Sequence, residues 1–213
     1  MQNFEICRSL LQIKAIKLNA NDPFIWASGM RSPIYCDNRV ALSYPEIRSS
    51  IKWALNELSK KFEPYAVIAG VATAGIAHGA LLADLQEKPF CYVRPEAKSH
   101  GRQNQIEGDL QAGAKVLVVE DLISTGASSI KVVEVLRDQN VDVVGVIAIF
   151  DYGFNVAKQA FEHSNCNYAA LATYAELIQQ AKSSGYISEE DGSILKLWSE
   201  DPKGWYDNHY SKR

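Results

Sequence analysis

The 213-residue chain has little of what marks a nucleic-acid-binding, membrane or disulfide-rich protein. Its 22 lysines and arginines are outnumbered by 25 aspartates and glutamates, a formal net charge of −3. No general basic field draws a polyanion, so any anionic ligand must be met locally. The four cysteines, Cys7, Cys36, Cys91 and Cys166, lie far apart with no C-x-x-C pair, which argues against a zinc site and a dense disulfide framework. Reduced thiols in a cytosol are expected. No uninterrupted apolar stretch approaches the ~20 residues of a membrane span. The N-terminal Met-Gln-Asn-Phe-Glu-Ile-Cys lacks the charged-then-apolar layout of a signal peptide. These absences predict a soluble, cytoplasmic protein with no nucleic-acid or membrane partner, and there is no internal repeat or low-complexity tract.

What is present is a globular composition, 47% hydrophobic and 22% charged, in a length that suits a single domain over 1–213. Residues 4–18 are loosely helical up to the break at Asn19–Pro23. From Phe24 to Tyr35, turns at Ser28-Gly29 and Ser32-Pro33 suggest short strands, a hood lobe built mainly from about 1–42. Ser43-Tyr44-Pro45-Glu46 has capping-box spacing, and Ile47, Ile51, Leu55, Leu58 and Phe62 follow on one face, predicting a helix from about Tyr44. Strand-like runs at 66–71, 90–94, 116–119 and 141–150 alternate with helical patterns at 76–85 and 127–139. Three more helical patterns follow, at 154–162, 174–183 and 188–199. The alternation predicts an α/β fold, a central parallel sheet of about five strands flanked by helices on both faces.

The most informative stretch is 116–128, Val-Leu-Val-Val-Glu-Asp-Leu-Ile-Ser-Thr-Gly-Ala-Ser. Four apolar residues of the kind a parallel sheet buries on both faces lead into two acids, then a hydroxyl-rich turn opens a helix in which Ile130, Val133 and Leu136 recur at helical spacing. At such a junction the free N–H groups of Thr125, Gly126, Ala127 and Ser128 and the positive end of the helix dipole converge, holding a phosphate without any lysine. Glu120 and Asp121, one step earlier, are placed to accept hydrogen bonds from the hydroxyls of an attached ribose. An ordinary strand–helix turn with a serine cap is the alternative.

Gly70-Val71-Ala72-Thr73-Ala74-Gly75 also joins a strand to a helix, but Ile76 and Ala77 stand where a nucleotide-triphosphate P-loop needs Lys and Ser/Thr. Its small residues let backbone N–H groups approach an anion, or simply allow tight strand–helix packing. Between Arg94 and Lys115 lie about twenty mostly polar residues, longer than usual for a compact domain. Arg94, Lys98 and Arg102 outnumber Glu96 there, which favours a lid closing on a polyanion over a solvated loop. Of the histidines, only His100 sits among these charged residues; His78 falls on a core-facing helix, and His163 and His209 are surface residues. Trp198 and Trp205 are packing or interface residues.

Residues 116–128 resemble the phosphoribosyl pyrophosphate (PRPP) signature of the type I phosphoribosyltransferases, position for position. Residues 93–101, Val-Arg-Pro-Glu-Ala-Lys-Ser-His-Gly, resemble the mobile catalytic loop of the orotate phosphoribosyltransferase family, and 28–35, Ser-Gly-Met-Arg-Ser-Pro-Ile-Tyr, its N-terminal segment over the pyrimidine. The three motifs span most of the chain in the expected order. Some members carry lysines where Ala27, Ala74 and Pro95 stand, and an arginine near Tyr152.

The resemblance implies transfer of the 5-phosphoribosyl group from PRPP to orotate, giving orotidine 5′-phosphate and pyrophosphate in pyrimidine biosynthesis, with Mg²⁺ held mainly by substrate and water. It implies that Lys98 is the leaving-group cation, assisted by Arg94 and His100, and that Glu120 and Asp121 orient the ribose. Leu122, Ile123 and 124–128 complete the PRPP cradle with Thr73 and Ala74, and Ser124 and Tyr35 meet orotate. It further implies a homodimer in which Arg94, Lys98 and His100 of one subunit complete the other's site. Two rivals are a sister enzyme with a purine or uracil acceptor, and a regulator that only senses PRPP; the latter is expected to lack the loop and to carry a basic DNA-binding segment.

Overall fold

The computed structural model describes residues 2–26, 28–96 and 105–210. At its centre is a six-stranded sheet in the order β10-β9-β8-β5-β6-β7. Its strands are β5 (Val67–Val71), β6 (Phe90–Val93), β7 (Ile106–Glu107), β8 (Lys115–Ile123), β9 (Asp142–Asp151) and β10 (Tyr168–Thr173). Five are parallel, and β7 runs antiparallel to β6 at the edge. This is the expected α/β fold. Val116, Leu117, Val118 and Val119 on β8 are wholly buried, the apolar run of a strand covered on both faces.

Helices α3 (Gly75–Leu85), α4 (Ala127–Arg137) and α5 (Asn155–His163) make the crossovers, preceded by α1 (Gln2–Gln12) and α2 (Pro45–Ser59) and followed by α6 (Tyr174–Ser183) and α7 (Glu189–Glu200). The core lies in two layers. One gathers Leu10, Leu55, Leu82, Leu177 and Trp198 from α1, α2, α3, α6 and α7; the other gathers Val133, Leu136 and Phe161 from α4 and α5. Because α3 and α4 cover opposite faces, the chain reverses its direction of progress across the sheet between neighbouring strands β5 and β8. In open α/β sheets a ligand crevice forms at the carboxyl ends of strands at such a reversal. Among the described residues, no helix is long and apolar enough to cross a membrane.

The hood is made of two small antiparallel pairs: β1 (Ile16–Leu18) with β4 (Ile34–Cys36), and β2 (Phe24–Ile25) with β3 (Arg31–Ser32). Two local expectations need correcting, and two strands answer to no expectation. The first helix ends at Gln12 rather than near residue 18; Lys14 turns the chain with φ +58°, and Ile16–Leu18 pair with β4. Ser43 does not cap α2. A 3₁₀ turn occupies Asn38–Ser43, Tyr44 is the N-cap without a side-chain bond, and Pro45 at the first helical position fixes the start. The sixth strand β7 lies within the long connection after Arg94, where the sequence shows no strand pattern. Finally β10, Tyr-Ala-Ala-Leu-Ala-Thr, carries no strand-like signal because alanine favours helix over sheet.

Candidate active site

The acid pair sits near the end of β8, held in register by β9: Glu120 opposite Ala148, Leu122 opposite Phe150 and Ile123 opposite Asp151. The two acids face different surroundings. Glu120 is 4% exposed. Its Oε1 accepts the Asp121 N–H at 3.0 Å, and its Oε2 accepts the hydroxyls of Ser128 at 3.2 Å and Ser129 at 3.4 Å. Burial, reinforced by the negative charge of Asp121, pushes its carboxyl well above the usual carboxylate range. Asp121 is only half-buried and more accessible to a ligand. Burial also raises its carboxyl, against the hydrogen bond from Glu120 and the positive charge of Arg39. Arg39 is itself clamped to Asp37, its Nε 2.7 Å from Oδ1 and its second donor 2.9 Å from Oδ2.

The residues after the acids form the anticipated junction. Gly126 is the N-cap of α4 with φ +78°, a left-handed conformation that glycine adopts at no steric cost, and it makes no side-chain cap. A Cβ there would also press on the Phe161 ring at 3.2 Å. The first-turn N–H groups therefore lack an intrahelical acceptor. Thr125, Ala127 and Ser128 are exposed beside them and Ser124 is half-buried, whereas Ile123 points into the core.

A second uncapped helix start lies next door. After β5, Ala74 is the N-cap of α3 without a side-chain bond, and Thr73 is exposed. A Cβ on Gly75 would collide with the Val119 carbonyl, so only glycine lets α3 begin against β8. Two helix N-termini thus flank the acids at the point where the sheet reverses. Arg94 follows β6, its N–H bonded to the Gln105 carbonyl at 2.9 Å and its Nε 3.3 Å from Glu107, which pins the root of the 95–104 connection. Lys98 and His100 lie outside the described residues.

Beside the turn that opens α4 is a cleft of about 650 Å³ whose walls include Trp26, Ser28, Met30, Ser124, Thr125 and Phe154. An aromatic cluster backs it: Phe154 lies parallel to Tyr152 at 5.3 Å, and Trp26 tilts against Tyr152 at 5.3 Å and meets Trp198 edge-on at 5.8 Å. Tyr152 and Trp198 are buried behind the wall, which makes them its support. Tyr35 does not line this cleft; its ring packs against Phe24 at 5.9 Å on the hood.

The phosphoribosyl transferase domain model matches residues 41–168. The orotate phosphoribosyltransferase of Bacteroides fragilis is 49% identical over 208 residues, covering 96% of this chain and 98% of that one. That of Listeria innocua is 48% identical over 202 residues, covering 94% and 97%. This chain belongs to the orotate phosphoribosyltransferase family. The orotate phosphoribosyltransferase of Aeropyrum pernix, a solved structure of that family, superposes with a TM-score of 0.74 at 30% identity, over 86% of this chain and 99% of that one. The Leishmania donovani UMP synthase shares the fold, with a TM-score of 0.80 at 23% identity; this chain spans 42% of that longer protein.

Membership in the family does not by itself point to several residues that the folded site contains. Asn38 joins the hood to the acid pair through a bond 83 residues long in sequence, from its Nδ2 to the Asp121 carbonyl at 2.8 Å. No local motif announces such a contact. Trp26 and Met30 could have been anticipated from their place beside and within the 28–35 motif, while Phe154 carries no comparable signal.

Proposed function

We propose that this single-domain protein transfers the 5-phosphoribosyl group from PRPP to orotate, forming orotidine 5′-phosphate and pyrophosphate. The observation that carries the reading is the pair of uncapped helix N-termini, at α3 and α4, on either side of the β8 acids. PRPP has that layout: a 5-phosphate and a pyrophosphate separated by a ribose with two free hydroxyls. Residues 124–128 hold the 5-phosphate, Thr73 and Ala74 meet the pyrophosphate through the backbone, and Asp121 accepts from the ribose hydroxyls. Glu120 fixes Asp121 and the start of α4 through Ser128 and Ser129. Orotate lies in the adjoining cleft against Ser124, between Trp26 and Phe154.

Departure of pyrophosphate leaves an oxocarbenium-like ribose, so the protein's task is to neutralise the leaving group and position the acceptor under C1. Lys98 supplies the main cation, with Arg94 and His100. The half-exposed Asp121 carboxylate and the hydroxyls of Ser124 and Ser128 are hard oxygen donors of the kind Mg²⁺ prefers, and they fit an ion that arrives on the substrate's own oxygens. When bound, Mg²⁺ supplies positive charge to the pyrophosphate. As the family resemblance implies, the active form is a homodimer sharing its catalytic loops. A cytoplasmic setting fits four cysteines held as free thiols.

The test is a spectrophotometric assay of purified protein with PRPP, Mg²⁺ and orotate, with adenine, hypoxanthine and uracil as rival acceptors and Lys98→Ala alongside. Turnover of orotate alone, largely lost in the variant, is expected. Binding of PRPP without turnover of any base would instead favour a sensor of the metabolite.

A further inference from the structure

We propose that Lys203 is the acceptor-selecting cation of the cleft, pairing with the carboxylate of orotate; the inference rests on the acceptor reading above. Orotate differs from uracil by that carboxylate, which is ionised at neutral pH. Bringing it into this cleft means bringing an anion beside Glu200 and Asp201, which line the same wall. Among the described lining residues Lys203 is the one cation. Its other neighbours do not use it up. Asp201 is committed to its own turn, Oδ1 accepting the Gly204 N–H at 3.0 Å and Oδ2 accepting from Asn208 at 3.3 Å. Lys203 itself is exposed and makes no ion pair among the described residues.

The turn that carries Lys203 is fixed at both ends. Trp205 is buried at 1% exposure, and its N–H donates to the Asp201 carbonyl at 2.8 Å. A Cβ on Gly204 would press on the Asp201 carboxylate, so any larger residue there must displace the side chain that caps this turn. On the hood side, the Arg31 guanidinium lies 4.5 Å over the Tyr206 ring, tying β3 to the same C-terminal segment. The backbone of Lys203 is thus held while its four-carbon stem stays free to swing the ammonium over the cleft. This segment lies outside the matched stretch 41–168, so an acceptor contact there is supplied by sequence that the domain model does not cover.

Steady-state kinetics on the wild type, Lys203→Ala and Lys203→Arg test the assignment, with orotate and PRPP varied separately. Lys203→Ala is expected to raise the orotate KM roughly tenfold, the loss of one partly solvated charge-assisted contact, with the PRPP KM and melting temperature unchanged. Lys203→Arg recovers most of that loss. The orotate KM of the wild type rises with salt, and this dependence flattens in Lys203→Ala. A wild type active on orotate with a Lys203→Ala orotate KM within about twofold of it overturns the Lys203 assignment alone. A rise in both KM values that arginine does not rescue overturns it too, as a structural effect. A wild type inert towards orotate overturns the acceptor reading, and the assignment with it.

Discussion

The Nδ2 of Asn38 donates to the main-chain carbonyl of Asp121 at 2.8 Å, so the hood fastens directly onto the strand end that presents the acids. Asn38 is wholly buried, and its Oδ1 accepts from the Cys36 thiol at 3.5 Å. Removing the amide leaves a part-buried carbonyl without this partner, which costs about 1 kcal/mol. Asn38→Ala is expected to lose that much in urea denaturation and to raise the PRPP KM more than the orotate KM, because the loosened backbone is that of Asp121. An unchanged denaturation midpoint would show that the carbonyl finds another partner.

Glu120 makes the protein's stability depend on pH in a direction opposite to that of an ordinary paired carboxylate. Burial raises its folded pKa above the unfolded value. Its contribution is therefore fully present below the unfolded pKa, about 4.3, and is lost as pH rises through the folded pKa. Glu120→Gln keeps the shape without the charge. The variant is expected to melt higher than the wild type at pH 8 and equally at pH 4, a widening gap that thermal denaturation across pH reads directly. A variant less stable at pH 8 would mean that the ionised carboxylate is the favoured native form.

His78 works the other way. It is 2% exposed, its Nε2 has no hydrogen-bond partner, and burial depresses its pKa from 6.5 to about 4. A base with a depressed folded pKa contributes stability above the unfolded value, lost as pH falls through the folded one. The wild type is expected to lose about 3 kcal/mol on this account between pH 6.5 and 4, and His78→Leu to lose that much less over the same range. Denaturant titrations of both proteins at the two pH values check it.

How far the sequence carries the fold depends on how local the cause is. Val116–Val119 read as a buried strand because every residue is apolar, and Ile130, Val133 and Leu136 read as a helix because their spacing is set by the backbone. The helix over 174–183 starts where expected because Thr173 and Glu176 form a capping box within four residues. At Ser43 the same spacing misleads, since Pro45 and the 3₁₀ turn before it decide the start. The strand β10 is made by its pairing with β9, a partner about twenty residues away. The acid pair and the turn that opens α4 after it are legible as a contiguous motif. The inward turn of Glu120, the reach of Asn38 and the C-terminal wall of the cleft depend on contacts between distant segments and are visible only in the folded chain.

Gly75 and Gly79 on α3 give a final contrast. In an exposed helix interior, glycine to alanine stabilises by about 1 kcal/mol through the unfolded chain and helix propensity. Here both sites are closed. A Cβ on Gly79 would lie 2.8 Å from the edge of the Phe90 ring, a side chain that can rotate partly aside. A Cβ on Gly75 would meet the Val119 carbonyl, which cannot move without disturbing β8 one residue before Glu120. Gly75→Ala is therefore expected to cost about 1–3 kcal/mol and most of the catalytic activity, because it displaces the α3 start from the acids. Gly79→Ala is expected to cost less and to leave the PRPP KM near its wild-type value. Equal losses of activity in the two variants would mean that the packing of α3 as a whole, and not its first turn against Val119, sets the geometry of the site.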